Sequence, residues 1–193
     1  VQGDAVKTWK EQYDPLKPPN RIIGNLPYSS GSAIVLSLLQ GNCGAELCLF
    51  TLQKEVALRM TASPGDPLYS SFSLRCQSHW DLRRGGDLKP GSFYPAPEVV
   101  SAMVEAVPNN RLLPSRRRIF DILVRDLFQA RRKTIKNNLK TGELARQYSP
   151  EQLKSLFSEA GINLESRGED LSLDNCIDLT ERIYLAGPYP DKT

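Results

Sequence analysis

Between Arg21 and Leu39 the chain changes its hydrophobic period across one short turn, and that change limits the folds open to it. Arg21-Ile22-Ile23-Gly24 is a short apolar run that reads as a buried strand ending at a turn. From Ser29 to Leu39, Ala33, Leu36 and Leu39, with Ile34 and Leu38, recur at helical spacing. The residues between them, Asn25-Leu26-Pro27-Tyr28, make a tight turn. Strand, turn and helix in this order form the α/β arrangement that places ligands at a strand's carboxyl end.

The residue types in the turn suit chemistry on an amino group of a base. Asn25 can accept a hydrogen bond from an exocyclic amine through its side-chain carbonyl. The Leu26 carbonyl, held extended by the following Pro27, can accept a second. Tyr28 offers a flat face on which a flipped base can stack. The plainer alternative is a strand-end turn in which Pro27 sets the bend and Tyr28 fills a gap in the core. The rest of the chain decides between them.

Up to about Pro108 the pattern is that of a sheet with helices. Strands are predicted at Arg21 to Gly24, at Ala45 to Leu52, around Trp80 to Arg83, and at Val99 to Val107. In the last, Val100, Ala102, Val104 and Ala106 alternate with Ser101, Met103 and Glu105. The last two strands flank Gly85-Gly86 and a Pro-rich loop from Lys89 to Pro97, and are expected to pair antiparallel. Helices are predicted at Ser30 to Leu39, Lys54 to Met60 and about Tyr69 to Ser78. Pro108-Asn109-Asn110 with Leu112-Leu113-Pro114 marks the boundary, giving domains 1–110 and 111–193.

Beyond the boundary the period turns helical. Ile119 to Ala130 repeats Phe120, Leu123, Val124 and Leu127 at helical spacing. Ser149-Pro150-Glu151-Gln152 is a helix start with Ser at the N-cap, and Gly161 closes that helix. Ser172 caps a last helix, on which Cys176, Thr180, Ile183 and Tyr184 face one way and which Gly187 stops.

Charge is distributed unevenly. From Arg111 to Lys140 ten basic residues meet only Asp121 and Asp126, a local excess of +8 in a protein of net +3. Clustered arginines suit bidentate phosphate contacts, so Arg116, Arg117, Arg118, Arg131, Arg132, Lys133 and Lys136 are candidates for contacting nucleic acid. No apolar stretch approaches the ~20 residues of a membrane span. Cys43 and Cys48 lack the second pair that a metal site needs, and the lone His79 defines no site, so no metal is expected. Reduced thiols in the cytoplasm are the expectation for the four cysteines.

Taken together, the blocks of this sequence resemble the KsgA-type small-subunit (16S) rRNA adenine dimethyltransferases over nearly the whole chain. The resemblance is carried by Gln2-Gly3-Asp4-Ala5, Gly24-Asn25-Leu26-Pro27-Tyr28, Leu52-Gln53-Lys54-Glu55-Val56-Ala57 with Arg59, and Phe93-Tyr94-Pro95-Ala96-Pro97 with Val99 and Ser101. It continues through Phe128-Gln129-Ala130-Arg131-Arg132-Lys133-Thr134-Ile135 with Asn138-Leu139, and Arg167-Gly168-Glu169 with Leu171-Ser172. The Asn-Leu-Pro-Tyr and Phe-x-Pro-x-Pro blocks are shared with the Erm methyltransferases, whereas Arg131-Arg132-Lys133-Thr134 favours the KsgA branch.

The resemblance implies the C-terminal half of a Rossmann-like, S-adenosylmethionine-dependent methyltransferase sheet, followed by a small all-helical domain that binds rRNA. It implies that Asn25 and the Leu26 carbonyl accept from the target amine, in a turn bent by Pro27. Tyr28 and Phe93 would then stack on the base, while Asp4, with Asn25, contacts the cofactor. The implied partner is small-subunit rRNA within an immature subunit, and the implied state a cytoplasmic monomer. Two departures stand out. Tyr69-Ser70-Ser71-Phe72-Ser73 replaces a glycine-led run, and no Gly-x-Gly-x-Gly loop is present. The chain therefore reads as the C-terminal two-thirds or so of a longer protein, or as one whose N-terminal part is not represented, and alone is expected to hold the cofactor poorly. The competing expectations are an Erm-like enzyme acting on large-subunit rRNA, and an RNA- or ribosome-binding assembly factor without catalysis.

Overall fold

The computed structural model describes residues 3–9, 16–41 and 43–187. These fall into two compact units. One comprises residues up to Ala62 together with Arg75–Asn109; the other comprises Ser63–Leu74 together with residues from Asn110 onward. The return of Ser63–Leu74 to the second unit has no counterpart in the sequence pattern.

The first unit is built on a four-stranded sheet. A short helix, Ala5–Thr8 (α1), precedes strand Arg21–Asn25 (β1), helix Gly31–Gln40 (α2) and strand Leu47–Gln53 (β2). Helix Lys54–Thr61 (α3) follows directly; after helix Ser71–Gln77 (α4), which the unit boundary at Leu74 divides, come strand Trp80–Leu88 (β3) and strand Ser101–Pro108 (β4). The order across the sheet is β1-β2-β4-β3, with β1 parallel to β2 and β4 antiparallel to both its neighbours. Each expected strand forms, with ends shifted by a few residues.

Side-chain alternation on the two central strands builds the core. Cys48, Phe50 and Leu52 are buried and lie opposite Ala106, Val104 and Ala102, which are buried as well. Such directly opposed apolar pairs are what fix strand register, because a slip of one residue would turn every one of them outward. Helix α2 contributes Ile34, Val35, Leu38 and Leu39, and α3 contributes Ala57 and Met60. The Trp80 indole N–H donates to the Leu39 carbonyl at 3.0 Å, joining the end of α2 to the start of β3.

Strand β3 is longer than its pattern predicts. Its pairing with β4 continues through Gly85-Gly86 by a register shift between Arg84 and Asp87, a bulge rather than an end. A Cβ on Gly85 would lie 3.2 Å from the Met103 side chain, whereas Gly86 faces open space. Beyond the bulge, Lys54 Nζ donates to Asp87 Oδ2 at 2.6 Å and Arg84 pairs with Asp87 Oδ1, tying α3 to the strand. Val100, expected within β4, precedes it and is exposed.

The second unit is helical: Arg117–Leu127 (α5), Ile135–Leu139 (α6), Pro150–Glu159 (α7) and Leu173–Leu185 (α8). Phe120, Leu123, Val124 and Leu127 of α5 are buried, as are Leu153 and Phe157 of α7 and Cys176, Leu179 and Ile183 of α8. Both α7 and α8 open with capping boxes, Ser149 with Gln152 and Ser172 with Asn175. Gly161 and Gly187, with φ of 69° and 63°, stand just beyond the two helix ends.

Helix α5 stops at Leu127, short of the Ala130 that the spacing suggests. The buried Asn138 amide ends it, donating to the Leu127 and Ala130 carbonyls at 2.9 and 3.2 Å and accepting from the Ala130 N–H at 3.1 Å. Gly168 presses against the same turn, where a Cβ would come within 2.5 Å of the Leu127 carbonyl. Tyr69 is buried in this unit, its hydroxyl donating to the Leu171 carbonyl at 2.9 Å and its ring edge-on to Phe128.

Candidate functional site

Strand β1 ends at Asn25, and the backbone turns away while staying attached to the sheet. The Leu26 N–H still donates to the Thr51 carbonyl of β2 at 3.1 Å, and the Pro27 carbonyl accepts from Ser30 N–H at 3.2 Å. These two bonds hold the turn open at the carboxyl end of the parallel pair. Opposite lies the loop after β3, where Pro90–Ser92 makes a single 3-10 turn and Phe93 to Pro97 follow. The turn Asn25–Tyr28 and loop residues Phe93, Tyr94, Pro95 and Pro97 line one cavity of about 330 Å³.

Asn25, Leu26, Pro27, Tyr28 and Phe93 are thus brought together, although nearly seventy positions separate the turn from the loop. Asn25 is exposed, and among the described residues neither its side-chain amide nor the Leu26 carbonyl has a hydrogen-bond partner. Two acceptors are therefore left available at the cavity. Tyr28 and Phe93 are half-buried, and Tyr94 is fully exposed.

Two elements were missing from the sequence reading. The Tyr28 hydroxyl is hydrogen-bonded to the Ser101 hydroxyl at 2.5 Å, and the loop contributes Tyr94, Pro95 and Pro97 to the cavity as well as Phe93. The signal for the first was present. Ser101 is a small polar residue at the first position of β4.

Asp4 does not line this cavity. It caps α1, accepting from the Val6 N–H at 3.0 Å, with Lys7 3.8 Å from its other oxygen. Its segment is secured to α2, since Ser37 Oγ donates to the Val6 carbonyl at 2.8 Å and the Trp9 indole donates to Ser37 at 2.9 Å. Gln2 lies outside the described residues.

The seven basic candidates of the second unit separate into two groups. Arg116 is held by both oxygens of Glu181 at 3.0 Å and lies 3.3 Å above the Tyr184 ring. Burial opposes its charge, but Glu181 and Tyr184 more than offset that, holding the guanidinium above its usual range. Arg117 is half-buried, and that burial lowers its pKa. Arg131 pairs with Glu169, and Lys136 with Glu165 at 3.1 Å. Arg118, Arg132 and Lys133 are exposed and form no ion pair with the described residues.

The +8 excess of the linear window is therefore not the charge of the folded surface. The whole second unit carries fifteen basic and thirteen acidic residues, because Glu143, Glu165, Glu169 and Glu181 return to the basic segment from further along the chain.

All four cysteines are buried and none is in a disulfide. Hydrogen bonding between the Cys43 and Cys48 thiols lowers the first and raises the second, and burial raises Cys48 further. Among the described residues no group of three or more His, Cys, Asp or Glu could hold a metal ion, and no helix is long and apolar enough to cross a membrane.

This fold, a parallel-to-antiparallel sheet with a turn-and-loop cavity at its edge, is that of the Rossmann-like rRNA methyltransferases. A dimethyladenosine transferase from Plasmodium falciparum superposes with a TM-score of 0.73 at 22% identity, over 93% of this chain and 70% of that one. The 23S rRNA methyltransferase ErmE superposes with a TM-score of 0.65 at 20% identity, over 94% and 70%. In sequence, residues 2–184 match the ribosomal RNA adenine dimethylase family, and the chain belongs to it. Ribosomal RNA small subunit methyltransferase A of Treponema denticola is 30% identical over 95% of this chain and 62% of its own length. The protein of the same name from Synechocystis is 36% identical over 90% of this chain and 61% of its own. The chain spans about three fifths of the length of these two relatives.

Proposed function

We propose that the natural protein dimethylates adenine N6 in small-subunit rRNA, and that the cavity beside β1 grips the target base. The observation that carries the reading is the pair of unpartnered acceptors, the Asn25 amide oxygen and the Leu26 carbonyl, in one cavity with Tyr28 and Phe93. An adenine amino nitrogen is a poor nucleophile because its lone pair is delocalised into the ring. Two acceptors on its hydrogens draw the nitrogen toward tetrahedral geometry and free that pair for attack. Tyr28 and Phe93 hold the flipped base between two faces, which replaces part of the stacking it loses on leaving the RNA. Alignment of this kind is worth ~7–11 kcal/mol in favourable systems and needs neither a metal nor a strong base.

S-adenosylmethionine, when bound, supplies the electrophilic methyl group. Asn25 fits a position beside it, since its amide is open to the cavity and can hold an amine at a fixed angle. Asp4 would take an amino group of the cofactor's base through the carboxylate oxygen not used by Val6. The names of the curated relatives support small-subunit rRNA as substrate. The second unit would meet that RNA through Arg118, Arg132 and Lys133, with Arg117, Arg131 and Lys136 at the margin and Arg116 holding α8. The test is to incubate the natural protein with unmethylated small subunits and methyl-labelled cofactor, then digest the RNA. Label in dimethyladenosine is expected; label in cytosine, or none, overturns the reading.

A further inference from the structure

We propose that Ser101 is a positioning residue of the site: its hydroxyl fixes Tyr28, so that the tyrosine meets a target base with its ring already oriented. The inference deepens the adenine reading above and rests on it. Along β4 the side chains at Ala102, Val104 and Ala106 are buried, while Met103 and Glu105 on the other face are half-exposed. Ser101 belongs to the Met103 and Glu105 face by strand periodicity, yet it is fully buried. A hydroxyl buried there without a partner would be costly. Its partner is the Tyr28 hydroxyl at 2.5 Å, seventy-three positions away in sequence.

The two residues differ in how firmly the backbone holds them. Ser101 lies in an inner strand, opposite Gln53 of β2 and Leu88 of β3, so both flanks of its backbone are constrained by the sheet. Tyr28 lies in the turn before α2, attached through neighbouring residues. A single bond between them therefore transfers the rigidity of the sheet to a side chain that the turn alone would leave free to rotate. Ser101 also ends the loop that carries Phe93. The same bond thus ties the turn that carries Tyr28 to the strand at which that loop ends. In this arrangement the Tyr28 hydroxyl serves orientation, and its ring face serves the base.

A double-mutant cycle in the natural protein tests this, with Tyr28→Phe removing the bond from one side and Ser101→Ala from the other. Each variant should lower turnover by about three- to tenfold, the worth of one hydrogen bond, with KM for the small subunit little changed. The double variant should be no worse than either single one. Losses that multiply, or full turnover in Tyr28→Phe, would overturn the proposal. Should Ser101→Ala fail to fold, Tyr28→Phe removes the same bond without touching the strand and still decides. NMR of protein labelled in its tyrosine rings gives a readout independent of activity, in which Tyr28 is expected to lose order in Ser101→Ala. Unchanged order would also overturn it. A wild-type protein that transfers no methyl would refute the adenine reading, while the NMR result would still decide the tie.

Discussion

The two candidate surfaces of this chain respond to folding in opposite ways. At the cavity beside β1 the candidate polar groups are left without protein partners among the described residues, as the Asn25 amide and the Leu26 carbonyl are. On the helical unit the cations acquire partners: Arg116 takes Glu181, Arg125 takes Glu143, Arg131 takes Glu169 and Lys136 takes Glu165. A turn of four residues is governed by its own backbone and by the strand that feeds it, so its chemistry can be read locally. The charge of a surface is a sum over whatever folding brings near it, and carboxylates distant in sequence reduce it. Exposed acceptors without a protein partner are hydrated and can exchange that water for a ligand, whereas exposed ion pairs stabilise little and mainly decide which cations remain available.

The largest expected effect would break this contrast at its stronger side. Asn25→Ala should lower turnover by roughly 10²–10³, as loss of a positioned transition-state contact does, while RNA affinity stays nearly unchanged. Equal losses in rate and binding would mean that the amide only holds RNA. Tyr28→Ala should weaken both base capture and rate, by ~1–3 kcal/mol of stacking, measured with RNA carrying a fluorescent base at the target position. Asn138→Ala tests whether the second surface needs an ordered backbone. It leaves buried groups at Leu127 and Ala130 unsatisfied, so the denaturant midpoint should fall by the equivalent of ~1–3 kcal/mol.

The charge pairing itself is tested by salt. Replacing Arg132 and Lys133 with alanine should reduce the salt slope of RNA binding by about one per lost phosphate contact. Arg116→Ala should leave the slope near wild type and lower thermal stability instead, since its guanidinium is occupied by Glu181 and Tyr184. An equal drop in slope for Arg116→Ala would restore the linear reading of the basic block.

The smallest effect concerns acid. The hydrogen bond from Lys54 holds the Asp87 carboxyl below the usual carboxylate range, opposed by desolvation and helped further by the charges of Lys54 and Arg84. A carboxylate with a lowered folded-state pKa contributes stability above its unfolded value of about 3.9, and loses it as pH falls through the folded value. Lys54→Ala should therefore slightly lower the denaturant midpoint at neutral pH, with the difference from wild type vanishing in strong acid.

Much of the fold was legible because local periodicity and capping are short-range. The alternation of Ala102, Val104 and Ala106 specified a strand, and Ser149-Pro150-Glu151-Gln152 specified a helix start, whatever surrounds them. Reading failed where distant groups intervene. The Asn138 amide ends α5 from eleven positions away, Gly85-Gly86 becomes a bulge because β4 continues to pair beyond it, and Ser63–Leu74 joins the helical unit. At the site the sequence by itself determined the turn, its two acceptors and its aromatic ring, since proline geometry and residue type act within four positions. Only the tertiary structure decided that Ser101 would hold Tyr28 and which cations would remain unpaired. Each of these depends on side chains separated by tens of residues, and only packing against a common sheet or helix bundle brings such groups within hydrogen-bonding distance.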